Sequence, residues 1–308
     1  MHPIERLRYV ARAGGAPPSS LVSEAASALA GLAEDPAALV TACRRLVERH
    51  PGVGPMWWLA SRVLTAPEPV AEAWAVVGEL DRDPTAKLLA AELGESAAVV
   101  VLGWPELVGS ALMRRGDLVV MLVDEFGEAD GLIRRLRGAG GDVVEVGGPG
   151  LAQAVAAADV VLVEAMAMGA GPASWGVDSG ATMGVRAAGA PDAGAHDAGS
   201  PADWSVESGA VVASGSWAAA AVARSAGVPV WLVAGAGRVL PARIWEAVVR
   251  RLDDDPAEPW DRAWEVLPAD LVSSVLGPEG PVPWADALLR ADCPIAAELL
   301  TPVGARGA

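Results

Sequence analysis

The chain has little of several things that function classes depend on. Of its 308 residues one is phenylalanine (Phe126), one tyrosine (Tyr9) and one lysine (Lys87), and it carries 23 basic against 39 acidic side chains. A net charge of -16 argues against nucleic-acid or anionic-membrane partners, because contacts to phosphate dominate such binding. The two cysteines, Cys43 and Cys293, form no CxxC pattern, which argues against a disulfide framework or a zinc site. The histidines, His2, His50 and His196, show no metal-ligand spacing, so no metal is expected. No apolar run reaches the roughly 18 residues of a membrane span, and the first residues lack the apolar core of a secretion signal. A cytoplasmic protein is expected.

What is present is a large apolar fraction, 52%, enough for a substantial core, and 12 tryptophans. Arginine in place of lysine, with abundant alanine and glycine, fits a bacterial source of GC-rich DNA. Residues 1–18 read as an arm closed by Gly14-Gly15 and Pro17-Pro18. From 19 to about 93 the apolar spacing is helical: Leu21, Ala25, Leu29 and Leu32, then Leu39, Cys43 and Leu46. Asp35-Pro36 opens a second helix, and 50–55 breaks it before helices over 56–64, 70–80 and 85–93.

The texture then changes. Strands are expected over 97–102, 117–123, 142–146 and 159–163, with helices over 106–115, 131–137 and 151–157 between them. Such alternation implies a parallel, doubly wound sheet. The fold class is α/β, a helical domain over 1–95 followed by a Rossmann-like domain over 96–308. A Gly/Ala/Ser/Pro-rich insertion at about 169–208, holding Trp175 and Trp204, interrupts the second domain. After it comes the stretch 209–235: a glycine-serine turn, a helix over 217–225 with Ser214 or Ser216 as N-cap, a left-handed C-cap at Gly227, and a buried strand over 228–234. The stretch reads as half of a βαβ unit, and the free amides of its turn make an anion site. A further helix covers about 243–252.

Few residues present themselves for chemistry. Gly235-Ala236-Gly237 lacks the third glycine of a dinucleotide fingerprint, and Gly147-Gly148-Pro149-Gly150 reads as a tight turn, so no cofactor is expected. Asp124, Glu125, Glu128 and Asp130 follow a strand end, where acids can act as bases or hold a cation, or lie in a solvated loop. Glu164 is an acid at a strand end with apolar neighbours, where burial would favour its neutral form. Ser214 and Ser216 have no histidine partner for nucleophilic work and suit capping.

Four segments carry a resemblance. Residues 50–59 (HPGVGPMWWL) precede a helix; 119–131 hold a strand and acidic turn; 159–167 read DVVLVEAMA; and 211–233 hold the turn, helix and Gly227-Val228-Pro229 strand. In this order they resemble the alpha, beta and delta regulatory subunits of translation initiation factor 2B, a family that includes methylthioribose-1-phosphate and ribose-1,5-bisphosphate isomerases. The resemblance spans most of the chain and implies a helical domain, a Rossmann-like domain and dimers through the latter. It also implies where isomerase chemistry would sit, and there the chain departs. Gly103-Trp104-Pro105 stands in the region of the isomerase cysteine, Met166 aligns with the catalytic aspartate, Val212-Ala213 with the phosphate-holding Asn-Lys, and Phe126 and Asp130 with an arginine and a glutamine. Gly215 and Ser216 remain of the phosphate turn. An isomerase needs a proton-transfer pair and cationic anchors, and both sets are replaced.

The reading that follows is a non-catalytic, factor-2B-like binding or regulatory protein, a homodimer, with Ser214, Gly215 and Ser216 as ligand-binding residues for a phosphorylated small molecule or nucleotide. Two others stay open: a sugar-phosphate isomerase with relocated groups, Glu164 or Asp124 being the base, and a nucleotide sensor without chemistry.

Overall fold

A computed structural model describes residues 17–124, 129–171 and 208–301. Five helices come first: α1 (Pro18–Ala30), α2 (Pro36–Arg49), α3 (Gly54–Thr65), α4 (Pro69–Asp81) and α5 (Thr85–Glu92). Proline stands in the first turn of the first four, where its missing N–H costs nothing. Asp35 caps α2 by accepting from the Ala38 amide at 3.0 Å, worth about 1 kcal/mol. α3 is buried along nearly its whole length. Trp57 and Trp58 are fully covered, and with Met56 and Leu59 they centre a core that also takes in Trp245 and Cys293 from the far end of the chain.

The alternating half is β1 (Ala98–Leu102), α6 (Glu106–Leu112), β2 (Val119–Val123), α7 (Asp130–Gly138), β3 (Asp142–Val146), α8 (Leu151–Ala156) and β4 (Val160–Glu164). Next come β5 (Ala167–Gly169), β6 (Gly209–Ala213), α9 (Ser216–Ala226), β7 (Val230–Val233) and α10 (Ala242–Asp253). The chain ends in β8 (Trp264–Pro268), β9 (Ser274–Gly277), β10 (Gly280–Val282), α11 (Trp284–Leu288) and α12 (Ala297–Leu300). The main sheet has the order β10-β9-β7-β4-β1-β2-β3, parallel except for the edge strand β10. Val99, Val100 and Val101 of β1 pair with β2 on one side and β4 on the other, and all three are fully buried. A parallel strand covered on both faces reads as such a continuous apolar run. Strand order reverses between β1 and β4, and in open sheets of this kind ligands bind outside the carboxyl ends at that switch point.

The doubly wound α/β class holds, and the helix and strand of the 209–235 stretch form half of a βαβ unit: α9 leads into β7, which pairs in parallel with β4. β6, just ahead of the turn, lies antiparallel between β5 and β8 in a separate three-stranded sheet. One expectation is corrected: neither Ser214 nor Ser216 caps α9. The N-cap is Gly215, at φ 88°, and no side chain of the turn itself caps the helix. Gly227 does close it in the left-handed region, at φ 73°. Gly169 pairs with Gly209 where β5 meets β6, so the expected insertion leaves and re-enters at facing ladder positions. Trp245 of α10 lies against this pair; a Cβ on Gly169 would stand 2.7 Å from its Cβ and Cγ. Trp175, Trp204, Glu125, Phe126 and Glu128 lie outside the described residues. Among the described residues no helix is long and apolar enough to cross a membrane.

Candidate functional site

The switch point is framed by the ends of β1 and β4 and by the starts of α6 and α9. Gly215 belongs here too: a Cβ on it would lie 3.4 Å from Leu102, the last residue of β1. Two sets of free amides therefore face the opening, one from each helix start. An anion is what such amides accept. Both sets already have one.

At α6 the anion is Glu164. Its carboxylate accepts from the amides of Glu106 at 3.2 Å, Leu107 at 2.7 Å and Val108 at 3.0 Å. Arg238 adds an ion pair, Nη1 to Oε1 at 2.8 Å, and the two side chains are 8% and 4% exposed, glutamate first. The same guanidinium donates to the Ala165 carbonyl at 2.5 Å and stands 3.7 Å from Glu106, which in turn accepts from the Ser19 hydroxyl. Glu164 is thus buried, as its apolar neighbours predict, but the expected apolar pocket is not there. Three amides and a guanidinium donate to it, and they occupy the lone pairs that a base would use.

At α9 the anion is Glu265, which reaches in from β8. It accepts from the Trp217 amide at 2.6 Å, with the amides of Gly215 and Ser216 also turned on it. Burial raises this carboxyl above the ordinary glutamate range, and the three amides pull it back. Ser216 is buried at the head of the helix, and the Ser214 amide donates to the Ala263 carbonyl at 3.1 Å. The glycine-serine turn is therefore where the sequence places it, with its amides engaged.

The positions that the resemblance matches to the isomerase cysteine and aspartate carry no proton-transfer group. Met166 bonds through its backbone, N–H to Val211 and carbonyl from Gly54, while its side chain packs on the helical core. Trp104, in the cysteine region, folds over Gly131 and stacks on the Arg135 guanidinium at 5.3 Å. Val212 is fully buried. Asp124 accepts from the Ala129 amide at 2.9 Å, closing the turn into α7, and Asp130 sits in that helix's first turn. Past β7, Asp83 accepts from the Ala236 amide at 2.8 Å, so the Gly235-Ala236-Gly237 turn is held by a carboxylate as well. Among the described residues no three His, Cys, Asp or Glu side chains are placed to hold a metal ion.

Sequence reasoning brings Glu164, Gly215 and Ser216 to one opening and Asp124 to a neighbouring strand end. It misses Arg238, Glu106, Glu265 and Asp83. A single arginine after an apolar strand and turn was the available signal for Arg238; Glu265 offers none, lying 48 residues from the amide it caps.

Neither protein-family models nor curated proteins give a match to this sequence. Solved structures do match its fold. Translation initiation factor eIF-2B of Pyrococcus horikoshii OT3 superposes with a TM-score of 0.68 at 13% identity, over 91% of this chain and 96% of that one. eIF2B beta from Chaetomium thermophilum gives 0.64 at 16% identity, over 98% and 93%. The 5-methylthioribose 1-phosphate isomerase of P. horikoshii OT3 gives 0.60 at 15%, over 94% and 87%. The chain has the fold of these proteins, as the four sequence segments imply.

Proposed function

We propose that this chain is a non-catalytic binding or regulatory protein on the factor-2B fold, in which the sugar-phosphate crevice is closed by the chain's own carboxylates. One observation carries the reading: Glu265 takes the amides of the Gly215-Ser216 turn, where the resemblance puts a substrate phosphate. Glu164 fills the facing helix start in the same way, and its counter-ion Arg238 is already engaged. A phosphorylated sugar would have to displace these carboxylates and then sit beside them. Like charges at such distances cost more than the recovered hydrogen bonds return.

A relocated isomerase is disfavoured by the same geometry, since Glu164 is tied by four donors. The beta and delta chains of C. thermophilum form a tetrameric complex. That precedent supports a homo-oligomeric scaffold here, a homodimer in the simplest form, with a cytoplasmic role in regulation.

The test is a thermal-shift panel of pentose phosphates, methylthioribose-1-phosphate and adenine and guanine nucleotides. A bound ligand at a hundredfold its Kd adds about 2.7 kcal/mol of stability, so binding is readily seen. The wild type is expected to give no shift. Glu265→Ser, which uncovers the three amides, is expected to gain a shift with inorganic phosphate. A wild-type shift with a pentose phosphate, followed by turnover, would overturn the reading.

A further inference from the structure

The helix α4 turns its charges away from water. A surface helix normally keeps its apolar stripe on the core and its charged residues on the opposite face. In α4 the two mid-helix acids, Glu72 and Glu79, instead turn toward α3. Both accept from the Arg62 guanidinium there, Glu79 at 2.9 Å. Ala73 and Val76 are fully buried against α1 and α3. The helical period then sets Val70, Ala71, Trp74, Ala75 and Gly78 on the outer face. Val70 is 41% and Trp74 48% exposed, and Ala71 is exposed as well. Between Glu68 and Asp81 this face carries no charge. A helix that is apolar outside as well as inside belongs in an interior, and exposed apolar faces of this kind mark interaction surfaces.

The face is complementary to itself. Trp74 is its one bulky projection, bordered by the small residues Ala71, Ala75 and Gly78. Contacts between identical chains use the same patch on both, related by a twofold axis. An axis near the helix midpoint, between Trp74 and Ala75, pairs α4 with an antiparallel copy. Ala71 then lies opposite Gly78 of the second copy, which lets the backbones approach closely. The two Trp74 rings meet on one flank of the contact and the two Ala75 methyls on the other.

The ends fit in charge. Glu68 and Arg82 are both exposed and lie on the same flank of α4. The antiparallel arrangement brings Glu68 of each copy to Arg82 of the other, while Asp81 stands on the opposite flank. A parallel pair would set Glu68 against Glu68 and Arg82 against Arg82. A strongly charged partner finds nothing to hold along the apolar middle of the face.

We propose that the outer face of α4 is an interface with a second copy of this chain, formed by antiparallel pairing of the two helices about a twofold axis. A helix of 13 residues is about 20 Å long. It covers less than a standard interface of roughly 1,600 Å², so the association is weak, with a Kd of about 1–100 μM.

Sedimentation velocity of the full chain from about 1 to 200 μM tests this. Self-association is expected across that range, and Trp74→Asp should weaken it about tenfold or more. Thermal unfolding of that variant at low concentration should stay close to wild type, since the ring is half exposed. Glu68→Arg and Arg82→Glu should each weaken association about threefold or more, and the double variant should restore it. Under a mild oxidant Ala75→Cys should cross-link to a second copy, the native Cys43 and Cys293 being buried. A chain that stays monomeric throughout overturns the proposal, as does association that survives Trp74→Asp or a double charge variant no better than the single ones. The outcome is separable from that of the crevice, whose probes are phosphates and whose variants lie at Glu265.

Discussion

The two openings along the carboxyl edge of the main sheet are built in opposite ways. Over β1 and β4, Glu106, Glu164, Arg238 and Glu265 all have protein partners, several of them buried. Over β7 and β9, a cleft of about 390 Å³ has Arg82 and Asp292 in its lining, both exposed to solvent. The first arrangement invests its polar groups in stability, the second leaves them in water. The contrast separates two roles: polar groups paired within the fold hold structure, and those exposed to water cost it little when changed. Substitutions in the crevice should therefore cost stability, and those in the cleft should cost little.

The largest effect is expected from Arg238→Met. It strands Glu164 in the interior with its amides but without its counter-ion, and breaking a buried pair from one side costs about 3–5 kcal/mol. Chemical denaturation measures it. The double variant Arg238→Met with Glu164→Leu should recover part of the loss, although it leaves the α6 amides without an acceptor. A loss under about 1 kcal/mol would mean that the pair is not the keystone drawn here.

Glu164→Gln comes next. The amide oxygen still accepts from α6, but the charge-assisted bonds weaken and one side-chain N–H is turned toward Arg238. A loss of about 1.5–3 kcal/mol is expected, with no change in any ligand-induced shift. If a sugar-phosphate turnover existed and vanished in this variant, the relocated-isomerase reading would return.

Glu265→Gln should act through pH. The folded carboxyl is raised above its unfolded value, about 4.3. The native chain thus holds that proton more tightly, and stability from this group is lost as pH rises from the unfolded value to the raised one. Glutamine does not titrate. Relative to wild type, the variant's Tm should climb with pH across that window, and a difference flat in pH would show that Glu265 is not desolvated at the helix start.

How much of this was legible depends on the range of the interactions. β3 was readable residue for residue, and the five N-terminal helices within a residue or two, because apolar period, Asp35-Pro36 and the other first-turn prolines are local signals. β6 was not legible as a strand, since the 209–216 run reads as the glycine-serine turn. GAVVA is apolar throughout, and only its partners β5 and β8 decide which sheet it joins. β8, β9 and β10 were not read, being short and broken by Pro268, Pro278 and Pro281. At the site, Gly215-Ser216 and Glu164 were found because they sit at element ends. The groups that decide their chemistry arrive from far along the chain: Arg238 lies 74 residues from Glu164. No local pattern encodes that meeting.

The smallest effect sharpens the contrast most. Arg82→Gln and Asp292→Asn remove charges from solvent-exposed residues, so each should leave the unfolding free energy of the chain within about 0.5 kcal/mol of wild type. For Asp292 the sign can be worked out. Its folded carboxyl is raised, chiefly by desolvation, so the ionised group opposes folding and the opposition grows as pH rises through the ordinary aspartate range. Asparagine should therefore be at least as stable as wild type near pH 7, and no more stable below about pH 3, where the carboxyl is protonated in both states. Glu164→Gln must move the other way, destabilising near neutrality. A pair of denaturation curves at two pH values distinguishes the cases. If Asp292→Asn destabilised the chain at neutral pH as Glu164→Gln does, its carboxylate would be a structural partner like those of the crevice.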